Sequence, residues 1–233
     1  MKNKLFLFIY LGCSVFYLFI TAFNQEEIAR VVKPFLLPIL LIAVYFSESF
    51  RTKKILITAL IFSWIGDVIL LFANKGEIYF ILGLVAFLIS HLFYIVLFNK
   101  QTRSKSISNK LSFGAGVGLI LMYFSVMIGT LGPKLGSLTL PVVIYAIVIS
   151  TMLFFALKGS YQWNVIPYHS VLIGAIFFIS SDSILAFNKF YQPISQAYLL
   201  IMLTYLLAQY SIVWGILHLN QKNSISFYKK MLF

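Results

Sequence analysis

Eight apolar runs, each close to the length that crosses a lipid bilayer, follow one another along this 233-residue chain. A helix that crosses the hydrocarbon layer needs about 20 residues. Of all residues, 61% are apolar and only 10% are charged, whereas a water-soluble domain has about 45–50% apolar and about 25% charged residues. The surplus of apolar side chains must therefore face lipid. We predict an all-α, polytopic membrane helix bundle that takes up residues 1–233 as one integral membrane domain, with helices near 5–23, 32–47, 54–73, 77–98, 111–130, 137–157, 167–187 and 195–219.

The first two runs each allow another interpretation. Lys2 and Lys4 precede the first run, as in a cleaved signal peptide, but the run has spanning length and no small-x-small cleavage site follows it. We interpret it as helix 1. The second run is short and is interrupted by Pro34 and Pro38, which predicts a kinked or partly re-entrant segment.

The basic residues indicate an orientation. The chain has 18 Lys and Arg against six Asp and Glu, a net charge of +12. Basic residues accumulate on the cytoplasmic side of membrane proteins, so we expect both termini in the cytoplasm and the protein in the cell inner membrane. No nucleic acid partner is expected, because the basic stretches lack interleaved aromatic residues. The 13 basic residues on the predicted cytoplasmic side are Lys2, Lys4, Arg51, Lys53, Lys54, Lys100, Arg103, Lys105, Lys110, Lys158, Lys222, Lys229 and Lys230.

Two segments of the chain echo each other. The run 62–70 around Asp67 is similar to 178–185 around Asp182, and 87–91 aligns with 205–209. The echo predicts that helices 3 and 4 are a copy of helices 7 and 8, arranged as a parallel repeat. The alternative is chance similarity among segments rich in Phe, Leu and Ile.

Asp67 and Asp182 are the acidic residues that solvation at a helix end does not explain. Each lies within an apolar run, where insertion of an aspartate costs on the order of 3 kcal/mol. Carboxyl groups within the membrane are typical of functional sites. A carboxyl that caps or hydrogen-bonds a neighbouring helix is the structural alternative.

Small and polar residues repeat at helical spacing around both aspartates, which predicts one shared pocket with a polar centre and an aromatic rim. His91 is the one histidine deep in a predicted span. It belongs nearer the cytoplasmic end of helix 4, so we expect no direct contact with either aspartate. The stripes are Ser63, Gly66, Asp67, Leu70 and Asn74 on helix 3, Gly83, Phe87, Ser90, His91 and Tyr94 on helix 4, Gly174, Ala175, Phe178, Ser181 and Asp182 on helix 7, and Tyr198, Met202, Tyr205 and Gln209 on helix 8.

Other motifs narrow the chemistry. The sequence has no Gly-x-Ser-x-Gly elbow, no His-Glu-x-x-His pair and no phosphate-binding P-loop. Its three histidines are far apart, which argues against a metal site. We expect no metal and no cofactor, and the two carboxyl groups remain as the acid–base apparatus. Gly114 and Gly118 form a small-x-x-x-small motif that predicts close helix contact at helix 5.

Several motifs together resemble the YhhN-type lysoplasmalogenase family of eight-span membrane proteins, and the resemblance covers nearly the whole chain. The Asp-bearing motifs are the more specific ones. The matching residues are Lys33-Pro34 with Pro38, Ser63-x-x-Gly66-Asp67-Val68-x-Leu70, Gly83-Leu84-x-Ala86-Phe87-x-x-x-His91-x-x-Tyr94, Tyr145 with Met152, and Gly174-Ala175-x-x-Phe178-x-Ser180-Ser181-Asp182-Ser183-x-Leu185-Ala186.

The resemblance implies an enzyme that hydrolyses the vinyl-ether bond of lysoplasmalogen to a fatty aldehyde and a glycerophospho-base, with Asp67 and Asp182 catalytic. The partners are then a lysophospholipid with a choline or ethanolamine head group, water and membrane lipid. Our hypothesis places Lys33 near the substrate phosphate, as a point charge. It gives His91, Tyr94 and Ser181 the task of orienting substrate or water. The remaining candidate substrate contacts are Ser63, Asn74, Tyr145 and Gln209.

Two other function classes fit repeated helix pairs with buried acids. A proton-coupled transporter of lipids or small molecules is the first, and its signature is gradient-dependent uptake without product. The second is a binding or sensory membrane protein without turnover.

Overall fold

The computed structural model describes residues 2–101, 107, 109–163 and 165–231. Arg103 and Lys105, which contribute to the charge asymmetry, lie outside the described residues. Within these ranges the chain is helical, with three single 3-10 turns in its connections. The α-helices are α1 (Lys2–Ala22), α2 (Glu26–Tyr45), α3 (Lys53–Leu70), α4 (Glu77–Gln101), α5 (Lys110–Leu131), α6 (Thr139–Trp163), α7 (Ile166–Phe190) and α8 (Ala197–Met231).

The predicted all-α membrane bundle is confirmed. Seven helices are long and apolar enough to cross a membrane. The eighth, α3, has 18 residues and carries Lys53 and Lys54 at its start and Asp67 near its end. Two helices extend furthest past their predicted ends, α6 by six residues and α8 by twelve, because polar residues continue a helix beyond the apolar run that hydropathy detects.

The second segment is a continuous helix, so the expectation of a re-entrant segment is wrong. It begins at Glu26 rather than near residue 32, because acidic residues in a first turn favour the helix N-terminus although they are not apolar. Pro38 lacks the N–H group that would bond to the carbonyl of Pro34, one turn earlier. The indole Nε1 of Trp64 on α3 donates to that carbonyl instead, at 2.8 Å. A neighbouring helix therefore satisfies the backbone group that the proline leaves free.

Two antiparallel pairs, α3 with α4 and α7 with α8, share the most extensive helix contacts. The predicted copy relationship between them stays a prediction. The core between the helices includes fully buried tyrosines whose hydroxyl groups donate to backbone carbonyls of distant helices, such as Tyr10 to Leu206 and Tyr168 to Phe98. Helix α5 is peripheral, with Ile120, Met127 and Leu131 as its buried residues.

Close helix approach occurs at a different glycine from the one predicted. A methyl group added at Gly114 or Gly118 meets no neighbouring atom within 4 Å, so the expected contact at this motif is wrong. Both glycines are exposed on peripheral α5. At Gly174 on α7, an added Cβ would lie 2.9 Å from the carbonyl oxygen of Ala208 on α8. The pair of helices that carries Asp182 is thus closely packed at its backbones.

Candidate active site

Both aspartates lie toward the same end of the bundle. We call it the distal face, the end that carries the α1–α2, α3–α4, α5–α6 and α7–α8 connections. Asp67 is three residues before the end of α3 at Leu70, and Asp182 is eight residues before the end of α7 at Phe190. Odd-numbered helices of an up-and-down bundle end at the same face, so the two carboxyl groups approach it together.

Asp67 has a cation and a hydroxyl group as partners. Lys33 Nζ lies 3.5 Å from Asp67 Oδ1, and the Tyr205 hydroxyl donates to Asp67 Oδ2 at 2.6 Å. The Lys33 and Asp67 side chains are only 7% and 5% exposed. A buried carboxylate needs such a partner. Tyr205 is not among the predicted site residues. Its position four residues before Gln209, on the polar stripe of α8, is the feature of the sequence that could have indicated this contact.

A polar cavity of about 420 Å³ lies beside this pair at the distal face. Lys33 lines it together with Glu26 and Arg30 from the start of α2 and with Asn74 from the turn after α3. Two predicted residues, Lys33 and Asn74, are thus brought to one cavity. It offers two cationic side chains and one carboxylate, a composition that suits a zwitterionic polar group.

Asp182 has a different environment. The Tyr145 hydroxyl of α6 donates to Asp182 Oδ2 at 2.9 Å, and His91 Nε2 of α4 lies 3.4 Å from the same oxygen. The expectation of no contact between His91 and the aspartates is therefore wrong. Side chains on a helix lean toward its N-terminus, and α4 begins at the face where α7 ends. The side chains of His91 and Asp182 therefore extend toward each other. This offsets the difference in depth between their backbone positions.

His91 is fully buried among aromatic rings. Its ring centroid lies 4.6 Å from that of Phe178 and 5.5 Å from that of Tyr145. Neither ring nitrogen has a hydrogen bond of good geometry to any group in the described part of the chain. With its Nε2 3.4 Å from the Asp182 carboxyl, the imidazole is placed to respond to the charge on that carboxyl.

An apolar cavity of about 300 Å³ lies over Asp182, between α4, α5, α6 and α7. Asp182 and Tyr145 supply the polar groups of its lining, and the other lining residues are aliphatic, aromatic or sulfur-containing. Its distal rim includes Leu140 and Phe190. The predicted single pocket is thus replaced by two cavities of opposite character.

An aromatic layer separates the two carboxyl groups. The Phe178 ring packs against the rings of Phe87, His91 and Tyr205 at centroid distances of 4.6–6.4 Å. Tyr205 reaches Asp67 on one side of the layer, and His91 reaches Asp182 on the other. Bulky side chains within the predicted stripes fill the place where one pocket was expected.

Four of the predicted substrate contacts are hydrogen-bonded inside the bundle. Gln209 Nε2 donates to Ser63 Oγ at 3.0 Å, and Gln209 Oε1 accepts from the Tyr94 hydroxyl at 2.6 Å. Ser63 also bonds Ser90 at 2.7 Å. Ser181 Oγ donates to the carbonyl of Ile201 on α8, at 3.0 Å. Ser63, Tyr94, Gln209 and Ser181 line neither the polar nor the apolar cavity.

Comparison with known proteins identifies the family of this chain. The model of the YhhN family matches residues 28–216, a range that holds both aspartates and most of the lining of both cavities. The chain belongs to the YhhN family. The family match confirms the resemblance found in the motifs, and it leaves α1 and the end of α8 outside the matched range.

Three relatives of this YhhN protein carry the name lysoplasmalogenase. Human lysoplasmalogenase TMEM86B is 30% identical over 207 residues, 87% of this chain and 81% of the relative. Human lysoplasmalogenase TMEM86A is 32% identical over 157 residues, 64% of this chain and 60% of the relative. The bovine TMEM86A is 30% identical over 158 residues, again 60% of its length. No solved structure matches the chain.

Proposed function

We propose that this protein is a membrane-embedded hydrolase that cleaves the vinyl-ether bond of lysoplasmalogens, the 1-alkenyl lysophospholipids with a choline or ethanolamine head group. The observation that carries the proposal is the similarity to human lysoplasmalogenase TMEM86B along most of both chains. The buried carboxyl groups support it, because the reaction needs an acid and a base in a site that admits lipid.

The chemistry of the bond defines what the site must supply. A proton is added to the alkenyl carbon that is distal to the ether oxygen, which leaves an oxocarbenium ion. Water adds to the carbon bonded to oxygen and loses a proton to a base, which gives a hemiacetal. The hemiacetal collapses to a fatty aldehyde and the glycerophospho-base alcohol. The sum consumes one water molecule and requires no cofactor.

Asp67 and Asp182 are the catalytic groups of this proposal. The apolar surroundings of a buried carboxyl favour its neutral form, and a cation favours its charged form. One carboxyl can then donate a proton while the other carries negative charge, as in the paired carboxyl groups of glycoside hydrolases. The unequal surroundings of Asp67, beside Lys33, and of Asp182, in the apolar cavity, support this division.

The polar cavity is our candidate site for the head group. Lys33 and Arg30 provide positive charge for the phosphate, and Asn74 provides an amide group at the rim. Glu26 lies in the same lining and complements an ammonium group. Because Lys33 is already paired with Asp67, an incoming phosphate shares this lysine with the carboxylate.

The other candidate residues act on the Asp182 carboxyl or on the helix packing in this proposal. Tyr145 and His91 contact the Asp182 carboxyl. The hydrogen-bonded set of Ser63, Tyr94 and Gln209 joins α3, α4 and α8, while Ser181 joins α7 to α8. We assign these four residues the task of holding the helices that carry the two aspartates.

The charge distribution supports a location in the cell inner membrane with both termini in the cytoplasm. The distal face is then on the opposite side of the membrane, and both cavities lie toward that side.

The decisive experiment incubates purified protein in lipid nanodiscs with a lysoplasmalogen and with its saturated-ether analogue. We expect fatty aldehyde from the first and none from the second, because the saturated ether has no alkene to protonate. Aldehyde formed in D₂O should carry one deuterium on the carbon next to the carbonyl. Release from both lipids, or from neither, would overturn the proposal.

Two substitutions test the catalytic groups in the same assay. Asp67→Asn and Asp182→Asn should each lower aldehyde release by at least about 100-fold, the range of general acid–base catalysis. Equal elution on size exclusion and an unchanged helical signal verify folding. Full activity in both folded variants would remove the carboxyl mechanism.

A further inference from the structure

The position of the carbon that is protonated in a vinyl ether determines where the proton donor must lie. The proton is added to a carbon of the hydrocarbon chain and not to the polar end of the lipid. A group that donates this proton must therefore lie against the chain. A carboxyl beside a head-group site would lie on the wrong side of the ether oxygen.

The apolar cavity would place a hydrocarbon chain against such a donor, because Asp182 is part of its lining. Apart from Asp182 and Tyr145, residues without polar side-chain groups line it, among them Leu84, Met127 and Ile149. Its volume of about 300 Å³ is roughly ten times that of one water molecule in the liquid. Since a methylene group has a similar size, about ten carbon atoms of a chain fit inside.

The cavity is also accessible from the bilayer. Three of its lining side chains, Val85, Leu140 and Ile144, are 44–69% exposed on the outer surface of the bundle. In an integral membrane protein this surface faces lipid tails. A hydrocarbon chain can enter sideways without crossing water, while the remainder of a long chain stays in the bilayer.

The alternative donor has the opposite surroundings. Asp67 forms an ion pair with Lys33 and accepts a hydrogen bond from Tyr205, and Lys33 lines the polar cavity. The Lys33 cation favours the charged form of this carboxyl group, and the aromatic layer around Phe178 separates it from the apolar cavity. The two aspartates therefore face the two chemically different parts of one lipid.

From this geometry we propose that the apolar cavity binds the alkenyl chain and that Asp182 is the proton donor of the reaction. The proposal rests on the proposed function and assigns the part of the substrate that each cavity receives. Tyr145 donates to Oδ2 of Asp182, so the acidic proton belongs on Oδ1. Oδ1 passes that proton to the distal alkenyl carbon. The carboxylate that remains accepts a proton when water adds to the oxocarbenium ion, which restores the acid.

A substitution that fills the cavity tests the chain site. Ala186 is one turn after Asp182 on the same face of α7 and lines the apolar cavity. We expect Ala186→Leu to raise KM for a hexadecenyl lysoplasmalogen about tenfold more than for a butenyl one, because the reduced cavity still admits about four carbon atoms but not the roughly ten that it holds in the wild type. Ala115→Leu adds the same atoms to an exposed position on α5 and should leave both KM values unchanged. Equal effects on long and short chains would contradict the proposal.

Photolabelling tests occupancy without turnover. The probe is a saturated-ether lysophospholipid with a diazirine on its chain, photolysed in nanodiscs with wild-type protein and with Asp182→Asn. Labelled peptides should come from α4, α6 and α7, and excess unmodified ether lipid should suppress them in both proteins. A diacyl phospholipid with the same diazirine should label these peptides weakly. Equal labelling by the diacyl lipid, without competition, would show a surface coated by bulk lipid and overturn the proposal.

The two assays separate this inference from the proposed function. Competed labelling of the apolar cavity in a protein that forms no aldehyde would leave the chain site standing and remove the hydrolase. Aldehyde formation with labels confined to α1, α2 or α8 would keep the hydrolase and remove the chain site. Aldehyde formation in Asp182→Asn at the wild-type rate would remove Asp182 as the donor.

Discussion

The two aspartates of the candidate site have different surroundings. Asp67 is held by Lys33 and Tyr205 at the polar cavity, whereas Asp182 is held by Tyr145 and has His91 as its nearest basic neighbour. A carboxyl next to a cation and a carboxyl in an apolar cavity differ in the charge state that they favour. In the function that we propose, the partners of each aspartate, more than its depth, therefore determine its task.

Removal of the hydroxyl group that supports Asp182 should slow the reaction. Tyr145→Phe deletes the bond to Oδ2, and hydrogen bonds to charged groups are worth about 1.5–3 kcal/mol. Because about 1.4 kcal/mol corresponds to a factor of ten in rate, we expect kcat to fall about tenfold or more. Steady-state aldehyde release measures the effect.

Tyr123→Phe is the matched control, because its hydroxyl bonds Ser183, the residue after Asp182. It removes the same atom from a neighbouring part of α7 and should leave kcat within about twofold. A loss of similar size in both variants would indicate a general effect on packing.

At the level of helices, a hydrogen bond between α2 and α3 replaces the backbone donor that Pro38 lacks. Pro38 deprives the Pro34 carbonyl of its helical donor, and Trp64 replaces that donor from α3. The same contact places α2, which carries Lys33, alongside α3, which carries Asp67. The ion pair thus depends on how α2 packs against α3. The hydrogen bond from Trp64 to the Pro34 carbonyl, which Pro38 leaves without a helical donor, contributes to this packing.

A double-mutant cycle tests this compensation. Trp64→Phe should lower the free energy of unfolding by about 1–3 kcal/mol, since it leaves a buried carbonyl without its donor. In a Pro38→Ala background the helix supplies its own N–H group, so the same change at Trp64 should cost less by about 1 kcal/mol. Unfolding in mixed detergent measures the four proteins. Equal costs in both backgrounds would show that the indole contributes packing alone.

A second pair of helices is held by close backbone contact at Gly174. Gly174→Ala places a methyl group 2.9 Å from the Ala208 carbonyl oxygen, so α7 must shift away from α8. We expect destabilisation by about 1–3 kcal/mol, the usual range for overpacking, together with reduced activity because α7 carries Asp182.

The control is Gly118→Ala on α5, where the added methyl group meets no atom within 4 Å. It should be neutral or stabilising by up to about 1 kcal/mol, since alanine favours the helix. Thermal unfolding monitored by circular dichroism compares the two variants. A larger loss at Gly118 would contradict the packing described for α7 and α8.

At the scale of the whole bundle, both cavities lie at one end. They lie toward the face that carries the α1–α2, α3–α4, α5–α6 and α7–α8 connections. The amphiphilic substrate that we propose would meet a polar and an apolar environment at the same end. The proposed orientation makes this the end opposite the cytoplasm.

Cysteine accessibility tests the orientation. In a Cys13→Ser background, which removes the one native cysteine, Gln192→Cys lies in the α7–α8 connection and Ser49→Cys in the α2–α3 connection. We expect a membrane-impermeant maleimide to label Gln192→Cys in right-side-out vesicles and Ser49→Cys only after permeabilisation. The reverse pattern would place both cavities toward the cytoplasm.

The sequence predicted some features of the site well and others poorly, for identifiable reasons. The stripe that carries Ser63 and Asp67 is buried as expected, because helical periodicity fixes which residues share a face. The depth of His91 was misjudged, because residue counting ignores the lean of side chains. Tyr205 was missed as a partner of Asp67, because a tyrosine on a bundle helix is usually packing.

The sequence by itself determined that this protein is surrounded by lipid and that its architecture is a bundle of helices. Spanning apolar runs can be stable only as helices in lipid, since every backbone group must be satisfied within its own segment, and two aspartates inside those runs mark the candidate site. The tertiary structure decided how the site is divided. Bulky aromatic side chains between the helices separate Asp67 from Asp182, and only the packing of distant helices gives one aspartate a lysine and the other an apolar cavity.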